Sequence, residues 1–314
     1  MQKNKIVVVM GGPSTEAEVS RRTGQAILQA LRAKGYNAEG LELNPQTFVA
    51  DIQHSNCAIV FNALHGKYGE DGVLQGTLDM LGIPYTGSGV LAAALTIDKA
   101  AAKRVFVAAG ISTPRYKSFY SFEQKRDLAA EIMDAFSFPI VIKAANQGSS
   151  IGVYITQNET ELKEAVIEAF KFSQEILAEE FIVGRELTVA VWGNGEAKEA
   201  MPVIEITTTS GRYDYASKYT KGASTHIVPA ELPAALTEQV QNLALQTFTA
   251  CGCQGVARVD MMLSADGTPY VIEVNSVPGM TETSLVPDAA RAMGVEFPEL
   301  CEKILTMAGF SPKD

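Results

Sequence analysis

The segment from Gly255 to Asn275 restricts the fold more than any other part of the chain. Gly255-Val256-Ala257-Arg258-Val259-Asp260-Met261-Met262-Leu263 alternates as a strand does, and Asp266-Gly267 is a turn signal. Tyr270-Val271-Ile272-Glu273-Val274-Asn275 then reads as the returning strand. Side chains on a strand repeat with period two, so Arg258 and Asp260 share one face, and Glu273 and Asn275 share one face of the partner. A turn closing around Ala265 to Thr268 sets Asp260 nearly opposite Glu273. Carboxylates paired across a ladder repel unless something neutralises them. Oxygen ligands with room for phosphate and water are what Mg2+ requires. Spacing alone leaves two readings equally open, a metal site or solvated residues on an exposed sheet face. Arg258 nearby and the downstream Pro278-Gly279 turn, able to offer a backbone N–H to a developing oxyanion, favour the metal.

Upstream the pattern is different. Lys5 to Met10 is a β-branched run ending in Gly11-Gly12, Glu16 to Lys34 has helical spacing, and Tyr36 to Leu43 and Cys57 to Asn62 read as further strands. Alternating strands and helices predict a parallel, doubly wound N-terminal lobe, with Gly82 to Gly89 as its last strand and exit loop. A helix is expected from Ile97 to Ala109 and strands at Arg115 to Phe119, Phe138 to Lys143 and Glu175 to Ile182. Asn146 to Gly152 is a glycine- and serine-rich turn between them. Beyond Gly184 the chain is strand-rich, with a helix from Thr237 to Ala250 before the hairpin. The expected class is α/β, passing to α+β in the later lobes. The expected domains are 1–96, 97–184 and 185–314, and a chain of 314 residues is long enough for them.

With a net charge of −10 and no Lys/Arg stripe, the chain lacks the clustered cations that nucleic acid demands, although a few lysines suffice for a nucleotide. No apolar run approaches a membrane span or a signal h-region, so the expectation is a cytoplasmic protein with no membrane partner. Cys251-Gly252-Cys253 lacks the two-residue spacer of zinc and redox motifs, which favours buried free thiols.

Other segments suit phosphate. Lys143 ends a buried strand and is followed by Gly148-Ser149-Ser150-Ile151-Gly152, a loop able to fold over phosphates or to be an ordinary turn. No Walker A sequence occurs, and Gly11-Gly12-Pro13-Ser14-Thr15-Glu16 fails the dinucleotide fingerprint. Glu16 suits a substrate ammonium or simply a helix start. His65 stands in the polar run His65-Gly66-Lys67-Tyr68-Gly69-Glu70-Asp71-Gly72, but its spacing does not make it a general base. His54 reads as a surface residue and His226 is undecided.

Taken in order, these segments resemble the ATP-grasp enzymes, and within them the D-alanine–D-alanine ligase family. The resemblance spans nearly the whole chain. It rests on Gly11-Gly12 with Glu16 to Ser20, on His65-Gly66 with Gly69 to Gly72, and on Pro84 to Ser88 and Asp98-Lys99. It continues through Lys143, Gly148-Ser149-Ser150, Tyr213-Asp214-Tyr215 with Lys218-Tyr219, Arg258-Val259-Asp260, Glu273-Val274-Asn275 and Pro278 to Thr281.

The resemblance implies an ATP-grasp fold behind a doubly wound N-terminal domain, and ligation of two D-alanines through a D-alanyl phosphate. It implies ATP as co-substrate, two Mg2+ (with Mn2+ able to substitute) and a homodimer. By the same resemblance Asp260, Glu273 and Asn275 hold metal; Lys99, Lys143, Ser150 and Lys218 hold phosphates. Glu179, Glu180, Phe181, Ile182, Glu186, Met262 and Ile272 contact adenine and ribose. Glu16 takes the first substrate's ammonium; Arg258 and the Gly279 N–H steady the intermediate. Ser284, Leu285 and Lys218 meet the second substrate, with His65 also near substrate, and a Glu16–Ser149–Tyr219 chain ties the first helix to a loop at 210–225. Tyr219 matches the dipeptide-forming type, since depsipeptide-forming relatives carry Phe there. Ser217 replaces a frequent acidic residue, Ser276 a commoner Thr, and Glu180 a Lys found in some relatives. The competing readings are a ligase for D-serine or D-lactate, a non-catalytic nucleotide-binding protein and a dehydrogenase. The retained Arg258, Lys218 and carboxylates oppose the second, and the missing glycine fingerprint opposes the third.

Overall fold

The computed structural model describes residues 4–123, 125–208 and 224–308. Its first sheet is parallel, with β1 (Lys5–Met10) between β2 (Asn37–Glu42) and β3 (Ile59–Asn62). A central parallel strand is covered on both sides. Accordingly Ile6, Val8 and Met10 pack with α1 (Ala17–Ala33), while Val7 and Val9 pack with α2 (Phe48–Ser55) and α3 (Val73–Leu81). The expected strand at Gly82 to Gly89 shrinks to one parallel bridge between Val60 and Tyr85. Pro84 has no N–H to extend the ladder, and Gly87 turns away at φ +91°.

Two helices follow, α4 (Val90–Ile97) and α5 (Lys99–Ala108). Asp98 separates them and caps α5, its carboxylate accepting the Ala101 N–H at 2.8 Å, so Lys99 starts the helix. The second sheet is antiparallel, in the order β4 (Tyr116–Tyr120), β7 (Glu175–Glu180), β5 (Ile140–Ala144), β6 (Val153–Thr156). Helices α6 (Leu128–Ala135) and α7 (Glu159–Ala169) cover it with Leu128, Ile132, Leu162 and Val166.

The third sheet is antiparallel as well. It runs β11 (Ser224–Ile227), β10 (Ile204–Thr208), β8 (Gly184–Gly193), β12 (Gly255–Ser264), β13 (Pro269–Asn275), with β9 (Glu199–Ala200) beside β8. On β12, Ala257, Val259, Met261 and Leu263 pack in one core with Val240, Ala244 and Phe248 of α8 (Ala234–Ala250). On the opposite face Val256 joins the core shared with Ala190 and Trp192, whereas farther along that face stand Arg258, Asp260 and Met262. One face of one strand thus passes from core to open cleft. The last helices, α9 (Leu285–Ala292) and α10 (Phe297–Met307), return to the first lobe: Leu300, Ile304 and Leu305 share a core with Ile6, Val8, Ile27 and Leu31. Glu302 completes that junction, accepting from Tyr36 Oη at 2.6 Å and pairing with Lys34. No helix among the described residues is long and apolar enough to cross a membrane.

Candidate active site

A cavity of about 870 Å³ opens where loops of all three sheets meet. Glu16, His65, Lys99, Ser149, Arg258, Glu273, Asn275, Gly279, Ser284 and Leu285 line it together. Among the described residues Lys143, Ser150, Glu179 to Ile182, Glu186, Asp260, Met262 and Ile272 lie outside that lining. Tyr213 to Tyr215, Lys218 and Tyr219 fall outside the described residues.

The hairpin pairs Asp260 with Glu273 and Arg258 with Asn275, the register that the spacing requires. It also holds a bulge: Asp260 opposes Glu273 but Met261 opposes Val271, so Ile272 is an extra residue. Val271 and Val274 are buried, while Ile272 and Glu273 are adjacent and both half-exposed. A strict period of two would send one of that adjacent pair into the core. The bulge lets an apolar side chain and a carboxylate stand side by side next to Met262 and Asp260.

Each carboxylate has its own cation. Arg258 grips Asp260 with two parallel bonds, Nε to Oδ1 and Nη2 to Oδ2, both 2.8 Å. Thr188, opposite Asp260 on β8, adds a third bond from Oγ1 to Oδ1 at 2.6 Å. Glu273 lies 3.2 Å from the Lys99 ammonium, which also donates to the Gln147 carbonyl at 2.5 Å. Asn275 Oδ1 accepts the Val277 N–H at 3.2 Å, which starts the turn toward Gly279. Two carboxylates and a carboxamide form an all-oxygen set suited to a hard cation. Among the described residues no group of three His, Cys, Asp or Glu comes together.

At the other wall Glu16 is buried at the start of α1, and Ser149 donates to its Oε1. Gly66 and Gly148 press on this carboxylate: a Cβ on either would stand 2.7 or 2.9 Å from Glu16 Oε2. Ser149 and Ser150 are both left-handed, at φ 50° and 61°, two consecutive strained residues in the loop proposed for phosphate. His65 Nε2 lies 3.1 Å from Thr23 Oγ1, and Nδ1 is 4.0 Å from Glu70. Ser284 precedes α9, its Oγ accepting the Thr281 N–H at 3.1 Å, and a Cβ at Gly279 would come within 3.3 Å of that Oγ.

The remaining predicted residues lie on the second and third sheets and on the segment that joins β7 to β8. Lys143 on β5 is buried, not a surface lysine, and donates to Glu179 Oε2 at 2.8 Å. Burial alone would raise the Glu179 carboxyl, but the ammoniums of Lys103 and Lys143 outweigh it and hold it below the usual range. Glu180 turns toward Arg115, accepting its backbone N–H at 2.8 Å and its Nε at 2.9 Å. Phe181 and Ile182, both half-buried, connect β7 to β8; Glu186 on β8 stands opposite Met262 on β12.

A D-alanine–D-alanine ligase from Moorella thermoacetica is 47% identical over 307 residues, spanning 97% of this chain and 99% of its own length. The chain belongs to the D-alanine–D-alanine ligase family. The family's models agree, "D-ala D-ala ligase N-terminus" matching residues 42–88 and "D-ala D-ala ligase C-terminus" residues 105–306. The D-alanine–D-alanine ligase from Bacillus anthracis complexed with ATP superposes with a TM-score of 0.85 at 34% identity, covering 99% of both chains. The VanG D-Ala:D-Ser ligase from Enterococcus faecalis gives 0.84 at 29% identity, covering 98% of this chain and 100% of its own. The ATP-grasp fold expected from the motifs is therefore the fold present.

Several site residues escaped the sequence reading of this family member. Thr188 gave only the parity of its strand as a signal, and Lys103 only its place one turn after Lys99 on a helix. His226, left undecided, lines the cavity with its Nδ1 2.7 Å from Asp288 Oδ2. Arg291 donates to the other oxygen of that carboxylate at 2.8 Å. Burial works to raise Asp288, yet His226 and Arg291 keep it below the ordinary carboxylate range.

Proposed function

We propose that this chain joins two D-alanine molecules at the expense of ATP, releasing ADP and phosphate and supplying the dipeptide for peptidoglycan synthesis. The observation that carries the reading is the meeting, on one cavity, of Glu16 with Ser149, Lys99 with Glu273, Arg258, Asn275 and Gly279, in a chain 47% identical to a ligase of this kind along nearly its full length.

A carboxylate is a poor acyl donor. In this reading the first D-alanine, its ammonium held by Glu16, attacks the γ-phosphorus through a carboxylate oxygen to give D-alanyl phosphate and ADP. The amine of the second then attacks the acyl carbon. Arg258 and the Gly279 N–H meet the charge that develops on oxygen, and the C–O bond to phosphate breaks. Ser284 and Leu285, with Lys218, seat the second substrate, and His65 borders the first. Lys99, Lys143 and Ser150 hold phosphate oxygens, with Lys218 assigned to them too. Glu179, Glu186, Phe181, Ile182, Met262 and Ile272 frame the base and ribose; Glu180, engaged by Arg115, offers its backbone. Asp260, Glu273 and Asn275 would hold two Mg2+, or Mn2+, which neutralise phosphate charge when bound. On family grounds Tyr219, outside the described residues, is assigned with Glu16 and Ser149 to the site from which water must be kept if the acyl phosphate is to survive. Domains at 1–96, 97–184 and 185–314, a homodimer and a cytoplasmic location complete the proposal on family grounds.

The test is phosphate release from ATP with Mg2+ across D-alanine, D-serine, D-lactate and L-alanine. The expected result is turnover dependent on D-alanine with dipeptide as product. Equal turnover with L-alanine, or none with any of them, would overturn the substrate assignment.

A further inference from the structure

Lys99 and Lys103 stand on one face of α5, at i and i+4. Lys99 serves Glu273. Lys103 has no part in the assignments above, yet among the described residues it is one of the large side chains that are almost wholly buried. An ammonium in such a place is costly unless it is paired, and removing one partner of a buried pair leaves the other charge uncompensated. Specific partners therefore hold it there.

Its contacts show what. The Lys103 ammonium donates to Thr113 Oγ1 at 2.7 Å and to the Pro114 carbonyl at 3.4 Å, and lies 3.4 Å from Glu179 Oε1. The Tyr116 ring centroid is 5.3 Å away. The other oxygen of Glu179 takes the bond from Lys143 at 2.8 Å. Two buried ammoniums thus share one carboxylate, so Lys143 is not wholly neutralised by Glu179. Thr113 carries the connection onward, donating to the Val271 carbonyl at 2.8 Å, while the Val271 N–H donates to the Ser112 carbonyl at 2.8 Å. Val271 immediately precedes the bulge that presents Ile272 and Glu273.

We propose that Lys103 is a positioning residue for the nucleotide. By taking up half of Glu179 it leaves the Lys143 ammonium charge for phosphate, and through Thr113 it fixes β13 at the bulge. The inference rests on the reading of this region as the ATP site. It concerns nucleotide affinity, not D-alanine, whose cavity Lys103 does not line. Burial lowers Lys103 to about 8 against the pull of Glu179. The other charged or titratable groups around it are Lys143 on β5, Glu180 on β7 and Tyr116 on β4. Nucleotide affinity is therefore expected to fall as pH rises through about 8, because the ammonium that offsets Glu179 is lost.

The experiment compares wild type, Lys103→Met and Thr113→Val by calorimetric titration with adenylyl imidodiphosphate and Mg2+, which needs no turnover, and by KM for ATP and for D-alanine. Lys103→Met is expected to weaken nucleotide binding by about tenfold or more, the order set by a lost outer-shell partner, with KM for D-alanine unchanged. Thr113→Val is expected to weaken nucleotide binding by about threefold, the scale of one neutral hydrogen bond, and the pH dependence is expected to vanish in Lys103→Met. A folded Lys103→Met with wild-type nucleotide affinity at every pH would overturn the proposal. If that variant does not fold, unchanged affinity in Thr113→Val overturns it instead. A wild type that binds no nucleotide overturns the underlying reading, an outcome distinct from a wild type that binds and variants that match it.

Discussion

Glu273→Gln separates the metal reading from a structural one. The change is isosteric and bears on the ion pair to Lys99 at 3.2 Å. A charged hydrogen bond is worth about 1.5–3 kcal/mol. Glutamine keeps an acceptor oxygen for Lys99, however, and Lys99 retains the Gln147 carbonyl. The substitution also relieves the repulsion between Glu273 and Asp260, directly opposite in the ladder, by up to about 1 kcal/mol. The net cost to stability is then about 1 kcal/mol or less, and the melting temperature should fall by only about 2–3 °C. Turnover should behave differently. Removing one of two carboxylates that hold Mg2+ against the phosphates should lower kcat/KM for ATP by about a thousandfold or more, some 4 kcal/mol of transition-state stabilisation. The assay is phosphate release at saturating D-alanine over a range of Mg2+, beside a thermal melt. A folded variant with near-normal turnover would sink the metal assignment. A melting temperature down by about 10 °C would make Glu273 a brace instead of a ligand.

Thr188→Val removes the hydroxyl that donates to Asp260 at 2.6 Å, and steady-state kinetics should show a loss in kcat of about tenfold, while Thr188→Ser restores it. Burial pushes the thiols of Cys251, Cys253 and Cys301 to about 12 each, so thiolate forms only far above neutrality. Iodoacetamide at pH 8 should therefore label Cys57 in the native protein and all four cysteines after unfolding. Mass spectrometry checks this, and fast native labelling of Cys253 would contradict it.

The hairpin was readable in the sequence because two short-range rules meet there. Alternation places Asp260 and Glu273 each on a face, and Asp266-Gly267 closes the turn that sets them opposite. The bulge at Ile272 obeys neither rule. Ile is an ordinary strand residue, and only the ladder, with Met261 opposite Val271, reveals the extra position. Lys103 was hidden for a related reason. Its spacing from Lys99 gives the helix face, but its burial depends on Glu179, remote in sequence, and on packing between two sheets. Of the strand and exit loop expected at Gly82 to Gly89, the strand is one parallel bridge at Tyr85, since Pro84 lacks an N–H and Gly87 turns the chain away. The left-handed Ser149 and Ser150 could not be anticipated either, since nothing in a serine pair requires positive φ.

The core shared by the first strand and the last helices bears on how the molecule comes into being. Ile6, Val8, Ile27 and Leu31 leave the ribosome long before Leu300, Ile304 and Leu305, the side chains that cover them. Synthesis usually lets the N-terminal part of a chain fold first. Here the parallel sheet can form early, but one apolar flank stays open until the second and third sheets have been made. Lys34 and Tyr36 likewise wait for Glu302. Assembly of this ligase therefore ends where it began, and Glu16, at the start of α1, is held by a finished scaffold only when the closing helix docks.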